Sequence, residues 1–255
     1  MDISGFHFDN APVTHILPKH LSKRVILCCG EVEEDLLQSF HGYPEKPLLV
    51  QHYRCYKFWK YSNFTLILAG IGTGTLEPLL WEILTPSVIH KIVLIGTAGA
   101  VSPDAPTTGS ALPVGEAYSC GTGIDGEMGL EPLKPRWEFP EGTKTCSIAS
   151  SDFFYGYSDR VLDGSFKACQ GPFREKYLKI RDRAALVDME VAPFYYFCPR
   201  FDPTGTIEYV AVKGSSNALG KGAEMNMHAR TVLGNCVHRA LLMLELVTLL
   251  HRAGN

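Results

Sequence analysis

Short runs of branched apolar residues alternate along this chain with stretches of helical spacing, and the alternation carries most of the architectural information. The pattern predicts strands at 24–29, 47–52, 64–69, 91–95, 146–149, 184–187 and 207–212. Most of these runs are nearly continuous in Val, Ile and Leu, as strands covered on both faces must be. Helices are predicted at 32–40, 76–84, 190–197 and 227–252. In the last of these, Val232, Leu233, Cys236, Val237, Ala240, Leu241 and Leu244 recur at helical spacing, so one face should dock on a sheet. Between 101 and 145 the chain is rich in Gly, Pro, Ser and Thr, which predicts irregular strands and loops. No repeat, low-complexity block or linker divides it. The expectation is α/β: a single domain with a mixed central β-sheet flanked by helices.

Charge and composition narrow the function classes. Lys and Arg total 24 and Asp and Glu 27, a net charge of −3, whereas a nucleic-acid binder carries a basic excess to neutralise phosphates. The most apolar stretch, 241–250, is interrupted by Glu245 and falls short of the ~20 residues of a membrane span. The first residues lack the basic start and apolar block of a signal peptide. Eight cysteines with no Cys-x-x-Cys spacing argue against a disulfide scaffold or a zinc site. These features predict a soluble cytoplasmic protein without metal or organic cofactor, and without nucleic-acid or membrane partners.

Chemistry concentrates where strands end. Three glycine-bearing junctions follow apolar runs: Cys28-Cys29-Gly30-Glu31, Ala69-Gly70-Ile71-Gly72-Thr73-Gly74 and Ile95-Gly96-Thr97-Ala98-Gly99. Each puts backbone N–H groups at a strand's carboxyl end, where a ligand can meet them. None has the lysine of a Walker loop or the spacing of a dinucleotide fingerprint. Further on come Ser151-Asp152-Phe153-Phe154-Tyr155, Asp188-Met189-Glu190 and Lys213-Gly214-Ser215-Ser216-Asn217. A carboxylate at a strand end needs a helix N-terminus or a ligand hydroxyl to satisfy it. Asn217 offers both donor and acceptor, and could read the edge of a heterocycle.

In order and spacing these segments resemble the nucleoside phosphorylase and nucleosidase superfamily, which includes uridine phosphorylase, hexameric-type purine nucleoside phosphorylase and methylthioadenosine nucleosidase. The resemblance runs from about Thr14 to the end, leaving 1–13 as an N-terminal extension of a nucleoside phosphorylase-like domain spanning 1–255. It implies an enzyme that breaks the ribosyl–base N-glycosidic bond. Glu190 would accept hydrogen bonds from the ribose 2′- and 3′-hydroxyls, and Met189 would lie against the sugar near the Gly72 turn. Phe154 and Tyr155 would supply a stacking face, with Arg160 beside the base. Thr97 and Gly30 would line the phosphate or water site. His15 would reach the 5′-hydroxyl, in this superfamily across a dimer interface, and Asn217 would donate to the leaving base. A homodimer or larger homo-oligomer acting on a small-molecule nucleoside is the expected assembly.

Departures from the superfamily's pattern bear on the acceptor. Glu34 stands where the phosphorylases carry one phosphate arginine, and Leu94 where they carry the other. Charge-assisted hydrogen bonds contribute about 1.5–3 kcal/mol each, so both losses together would weaken a phosphate site by two or more decades. The acidic run resembles instead that of the methylthioadenosine nucleosidases, with Asp35 at the place of the base that activates water. The same carboxylates could simply favour the first turn of a helix. Hydrolysis is the favoured reading. The alternatives are phosphorolysis to ribose 1-phosphate, with phosphate as co-substrate, and a non-catalytic nucleoside-binding or storage role.

Overall fold

The computed structural model describes residues 11–153, 172–180, 182–217 and 228–247. Among the described residues nine strands form one mixed sheet in the order β2-β3-β4-β1-β5-β8-β7-β6-β9. They are β1 (Arg24–Cys29), β2 (Leu49–Tyr53), β3 (Tyr56–Lys60), β4 (Thr65–Ala69), β5 (Lys91–Ala100), β6 (Ala111–Ser119), β7 (Cys146–Ser150), β8 (Leu186–Asp188) and β9 (Glu208–Ser215). The helices are α1 (Glu33–Ser39), α2 (Thr73–Leu84), α3 (Pro172–Ile180), α4 (Val191–Phe201) and α5 (Ala229–Met243). Strand β5 is the hinge of the topology. It pairs in parallel with β1 and with β9, and its last residues, Gly99 and Ala100, pair antiparallel with β8. Because β8, β7, β6 and β9 follow one another laterally, this half of the sheet closes on itself.

The central strands are buried on both faces, which explains their continuous apolar runs. Along β1, Val25, Leu27 and Cys29 face one core, with α2 and α4, while Ile26 and Cys28 face the other, with α1 and α5. Tyr195 ties α4 to the sheet. Its hydroxyl donates to the Val114 carbonyl at 2.6 Å and accepts the Ala211 N–H at 3.0 Å, so a buried phenol bridges two strands.

Sequence and structure differ at a few elements. The segment Gly96–Gly99, expected to be a loop, continues β5: Gly96 pairs with Lys213 and Thr97 with Gly214. Glycine lacks the side chain that would fill the space beside Lys213, so the strand runs on past its apolar part. Strand β3 escaped the apolar pattern because Lys57 and Lys60 interrupt it; a two-residue turn with Arg54 at φ 54° joins it to β2. Strand β6 lies in the stretch expected to be irregular, and α3 was not foreseen. Helix α2 begins at Thr73, three residues before its apolar periodicity starts.

Candidate active site at the strand ends

Five chain segments converge at the carboxyl ends of the parallel strands, where open α/β sheets build their sites. Glu31 follows β1, the Gly70-Ile71-Gly72 turn leads from β4 into α2, Thr97 lies in β5, Asp188 and Glu190 link β8 to α4, and Lys213 and Asn217 end β9.

Lys213 is the centre of this arrangement. Its side chain is 1% exposed, and its Nζ lies 3.1 Å from Asp188 Oδ2 and 3.3 Å from Glu190 Oε2. A buried ammonium is tolerated only when paired. Burial alone would lower its pKa, but the two carboxylates outweigh that and raise it, so Lys213 stays charged. At Glu190 burial outweighs the opposite charge. Burial pushes its carboxyl up, to about 7, the Asp188 charge adds to this, and Lys213 and a hydrogen bond from the Gly72 N–H oppose it. Local capping explains why Glu190 faces inward. Asp188 accepts the Val191 N–H at 3.1 Å and Ser150 Oγ accepts the Ala192 N–H at 2.9 Å, so the start of α4 is satisfied without it.

Glu31 reaches this region from the loop after β1. Its Oε1 accepts the Thr97 N–H at 2.5 Å. A Cβ on Gly96 would fall 3.1 Å from Lys213 Nζ and 3.2 Å from Glu31 Oε1. Both distances are tighter than ordinary van der Waals contact, so the bare Cα of Gly96 is what lets a cation and a carboxylate pack against it.

Asn217 is buried, and its Oδ1 accepts the Ala100 N–H at 3.2 Å. Asp152 fastens the site's outer wall: Oδ1 accepts the Thr73 N–H at 2.8 Å and Oδ2 the Gly123 N–H at 2.9 Å. Gly72, at φ 81°, has no room for a side chain, since a Cβ would sit 2.9 Å from Asp152 Oδ1. Gly30, at φ 71°, abuts Ile71, whose Cγ2 would be 2.1 Å from an added Cβ. Met189 is half-buried between Asp188 and Glu190.

Other expected residues are placed differently. Asp35 sits on α1 and pairs with Arg230, its Oδ1 2.7 Å from Nη2; the carboxylate that joins the cluster is Glu31, because Asp35 is one helical turn further on and facing α5. Glu34 is exposed and accepts from Gln38, and Leu94 is buried in the core of β5, so neither puts a charge in the cluster. His15 is exposed at φ 57° and stacks on Tyr53 with centroids 3.6 Å apart; its ring makes no bond to the cluster within this chain. Phe154, Tyr155 and Arg160 lie outside the described residues. Among the described residues no group of three or more His, Cys, Asp or Glu could hold a metal. A cavity of about 580 Å³ lies elsewhere, between residues 39–45 and the end of α5, and shares no residue with the cluster.

Sequence reasoning assigned nothing to Lys213, Glu31 or Asp152. The signal for Lys213 was its place inside an otherwise apolar strand, β9, whose last seven residues are all buried.

No protein-family model matches the chain, and no curated protein matches it. Solved structures do. The 5′-methylthioadenosine/S-adenosylhomocysteine nucleosidase of Helicobacter pylori superposes with a TM-score of 0.61 at 16% identity, covering 89% of this chain and 100% of its own. Futalosine hydrolase of the same organism gives 0.59 at 15% identity, with 88% and 97% covered. Purine nucleoside phosphorylase of Toxoplasma gondii, solved with immucillin-H, gives 0.65 at 14%, with 95% and 99% covered. At these identities the likeness is one of fold. The chain has the nucleoside phosphorylase and nucleosidase fold, as its motifs led us to expect.

Proposed function

We propose that this protein is an enzyme that cleaves the N-glycosidic bond of a nucleoside, with water as the acceptor of the ribosyl group. The observation that carries the reading is the buried Glu190 carboxylate, held by Lys213 and the Gly72 N–H at the strand ends of a fold that both nucleosidases and a phosphorylase share. A carboxylate in that position can accept two ribose hydroxyls at once and offset positive charge as the sugar becomes oxocarbenium-like. Met189 packs against the sugar, and Asn217 donates to the base as the C1′–N bond breaks and its electron pair moves onto the ring. Phe154, Tyr155 and Arg160 remain candidates for the base pocket.

Water is favoured over phosphate because the Lys213 ammonium is already paired with two carboxylates, those of Asp188 and Glu190, and a third, that of Glu31, holds the Thr97 N–H. That balance disfavours a dianion. The protein is proposed to act as a homodimer, with His15 presented to the partner's site.

The test is base release from a panel of purine and pyrimidine nucleosides, followed by chromatography with and without phosphate. Release in phosphate-free buffer, giving free ribose, is the expected result. Release that requires phosphate and yields ribose 1-phosphate would establish phosphorolysis. Binding without release would establish a non-catalytic role.

A further inference from the structure

The ribosyl chemistry leaves unused the cavity of about 580 Å³ at the other end of the sheet. Asn63, just before β4, lines it, and so does Glu245, which pairs at 3.3 Å with Lys91, the first residue of β5. The cavity therefore lies at the amino ends of strands whose carboxyl ends build the candidate active site. From Lys91 to Thr97 the strand rises roughly 20 Å.

Its walls are well defined. On one side the chain turns tightly after α1: the His41 N–H donates to Gln38 O at 2.9 Å, and the Gly42 and Tyr43 N–H groups both donate to Phe40 O, at 3.0 and 2.9 Å. Gly42, at φ 149°, borders open space, since a Cβ on it would meet nothing within 4 Å. Tyr43 stands edge-on to Phe64 with ring centroids 5.3 Å apart and to Tyr61 at 5.7 Å, and Phe40 stacks on Phe64 at 5.9 Å. From α5, Val237 and Leu241 add buried aliphatic surface. The volume falls within the ordinary range of small-ligand sites, about 300–1,000 Å³.

Charge selects the guest. Glu45 and Glu245 both line the cavity, and among its described lining residues there is no lysine or arginine. The Ser62 hydroxyl donates to one oxygen of Glu45. Lys91 is shared between Glu245 and Glu208, the latter at 3.7 Å, so it offsets only part of the negative charge. Carboxylates beside aromatic rings hold an organic ammonium by direct charge and by attraction to the ring faces.

We propose that this cavity is a second ligand site, separate from the ribosyl site, and that it takes a small organic cation: an ammonium group held by Glu45 and Glu245, with an apolar body against Phe40, Tyr43 and Leu241. The site does not depend on which bond the enzyme cleaves, so its test stands apart from the nucleoside panel.

The experiment titrates the full chain with three probes of one chain length, hexyltrimethylammonium, hexanoate and 1-hexanol, followed by methyl NMR shifts. His41 and His238 also line the cavity, so the titrations are run at pH 8, above the ordinary imidazole value of about 6.5. Hexyltrimethylammonium is expected to bind at least about tenfold more tightly than either other probe and to move the Val237 and Leu241 methyls. Glu45→Gln and Glu245→Gln should each weaken it about fivefold. Glu34→Gln, which removes an exposed carboxylate of α1 outside the cavity, should match wild type. Glu190→Gln should match it too, because Glu190 belongs to the other site.

No binding of the cation, equal or tighter binding of hexanoate or hexanol, or a loss in Glu34→Gln as large as in the cavity variants would overturn the proposal. So would loss of binding in Glu190→Gln, which would place the cation in the ribosyl site. If Glu245→Gln does not fold because Lys91 loses a partner, Glu45→Gln, which keeps an acceptor for Ser62, still decides.

Discussion

A carboxylate that accepts hydrogen bonds from sugar hydroxyls must be ionised, and Glu190 is held where ionisation is costly. Burial raises its pKa to about 7, and Asp188 pushes the same way. The acid limb of kcat/KM should therefore lie near neutrality, activity rising as pH increases and the carboxylate forms. Lys213 stays charged across this range, since its pKa is raised, so it contributes no alkaline loss there. Asp188→Asn removes the like charge, and the acid limb should move to lower pH. A pH–rate profile of both proteins checks this; a limb that stays put in the variant would show that Asp188 does not act on Glu190. At this scale the sequence was readable wherever a residue belongs to a local motif. Glu190, Thr97, Gly72 and Asn217 were singled out that way and are brought to one place. Lys213 and Glu31 were not, because their meaning lies in contacts between β9, β8, β5 and the loop after β1, which no local spacing encodes.

Among the elements, α2 depends most on a side chain distant in sequence. Its first N–H groups point at the site, and Asp152, from beyond β7, accepts the Thr73 N–H while holding Gly123 on the neighbouring loop. Asp152→Ala would leave two donors without their acceptor and cost about 1–2 kcal/mol. Urea unfolding should show this as a lower midpoint with an unchanged slope. Substrate affinity should weaken as well, because the Gly72 N–H on Glu190 shifts with the helix end. A midpoint equal to wild type would mean that water replaces the carboxylate at no cost. The apolar pattern located β1 to the residue and β4, β7 and β9 closely, since doubly covered strands leave an unbroken signature. It stopped β5 five residues short, because Gly96 and Gly99 read as a turn when taken alone. Only the pairing of Gly96 with Lys213 and of Gly99 with Val187 shows that the strand continues.

At the scale of the whole molecule, the proposed role of His15 is one between subunits. Within its own chain it is exposed and stacked on Tyr53, with Arg54 over the other ring of that pair at 5.3 Å, so it does not complete the cluster that holds Glu190. A symmetric dimer would place each His15 against the partner's site, and then two defective proteins should repair one another. Glu190→Ala and His15→Ala are each expected to be impaired, Glu190→Ala to background and His15→Ala by about tenfold. In a mixed dimer, the subunit that keeps Glu190 would receive an intact His15 from its Glu190→Ala partner. That site is fully wild type. Random exchange after mild dissociation puts about a quarter of all sites in this state, so activity should return to roughly that fraction of wild type. If His15 serves its own chain, the subunit with Glu190 still lacks it and mixing restores nothing. The same exchange in a protein that stays monomeric on size-exclusion light scattering also restores nothing. The two measurements together therefore separate a histidine acting across an interface from one that acts locally.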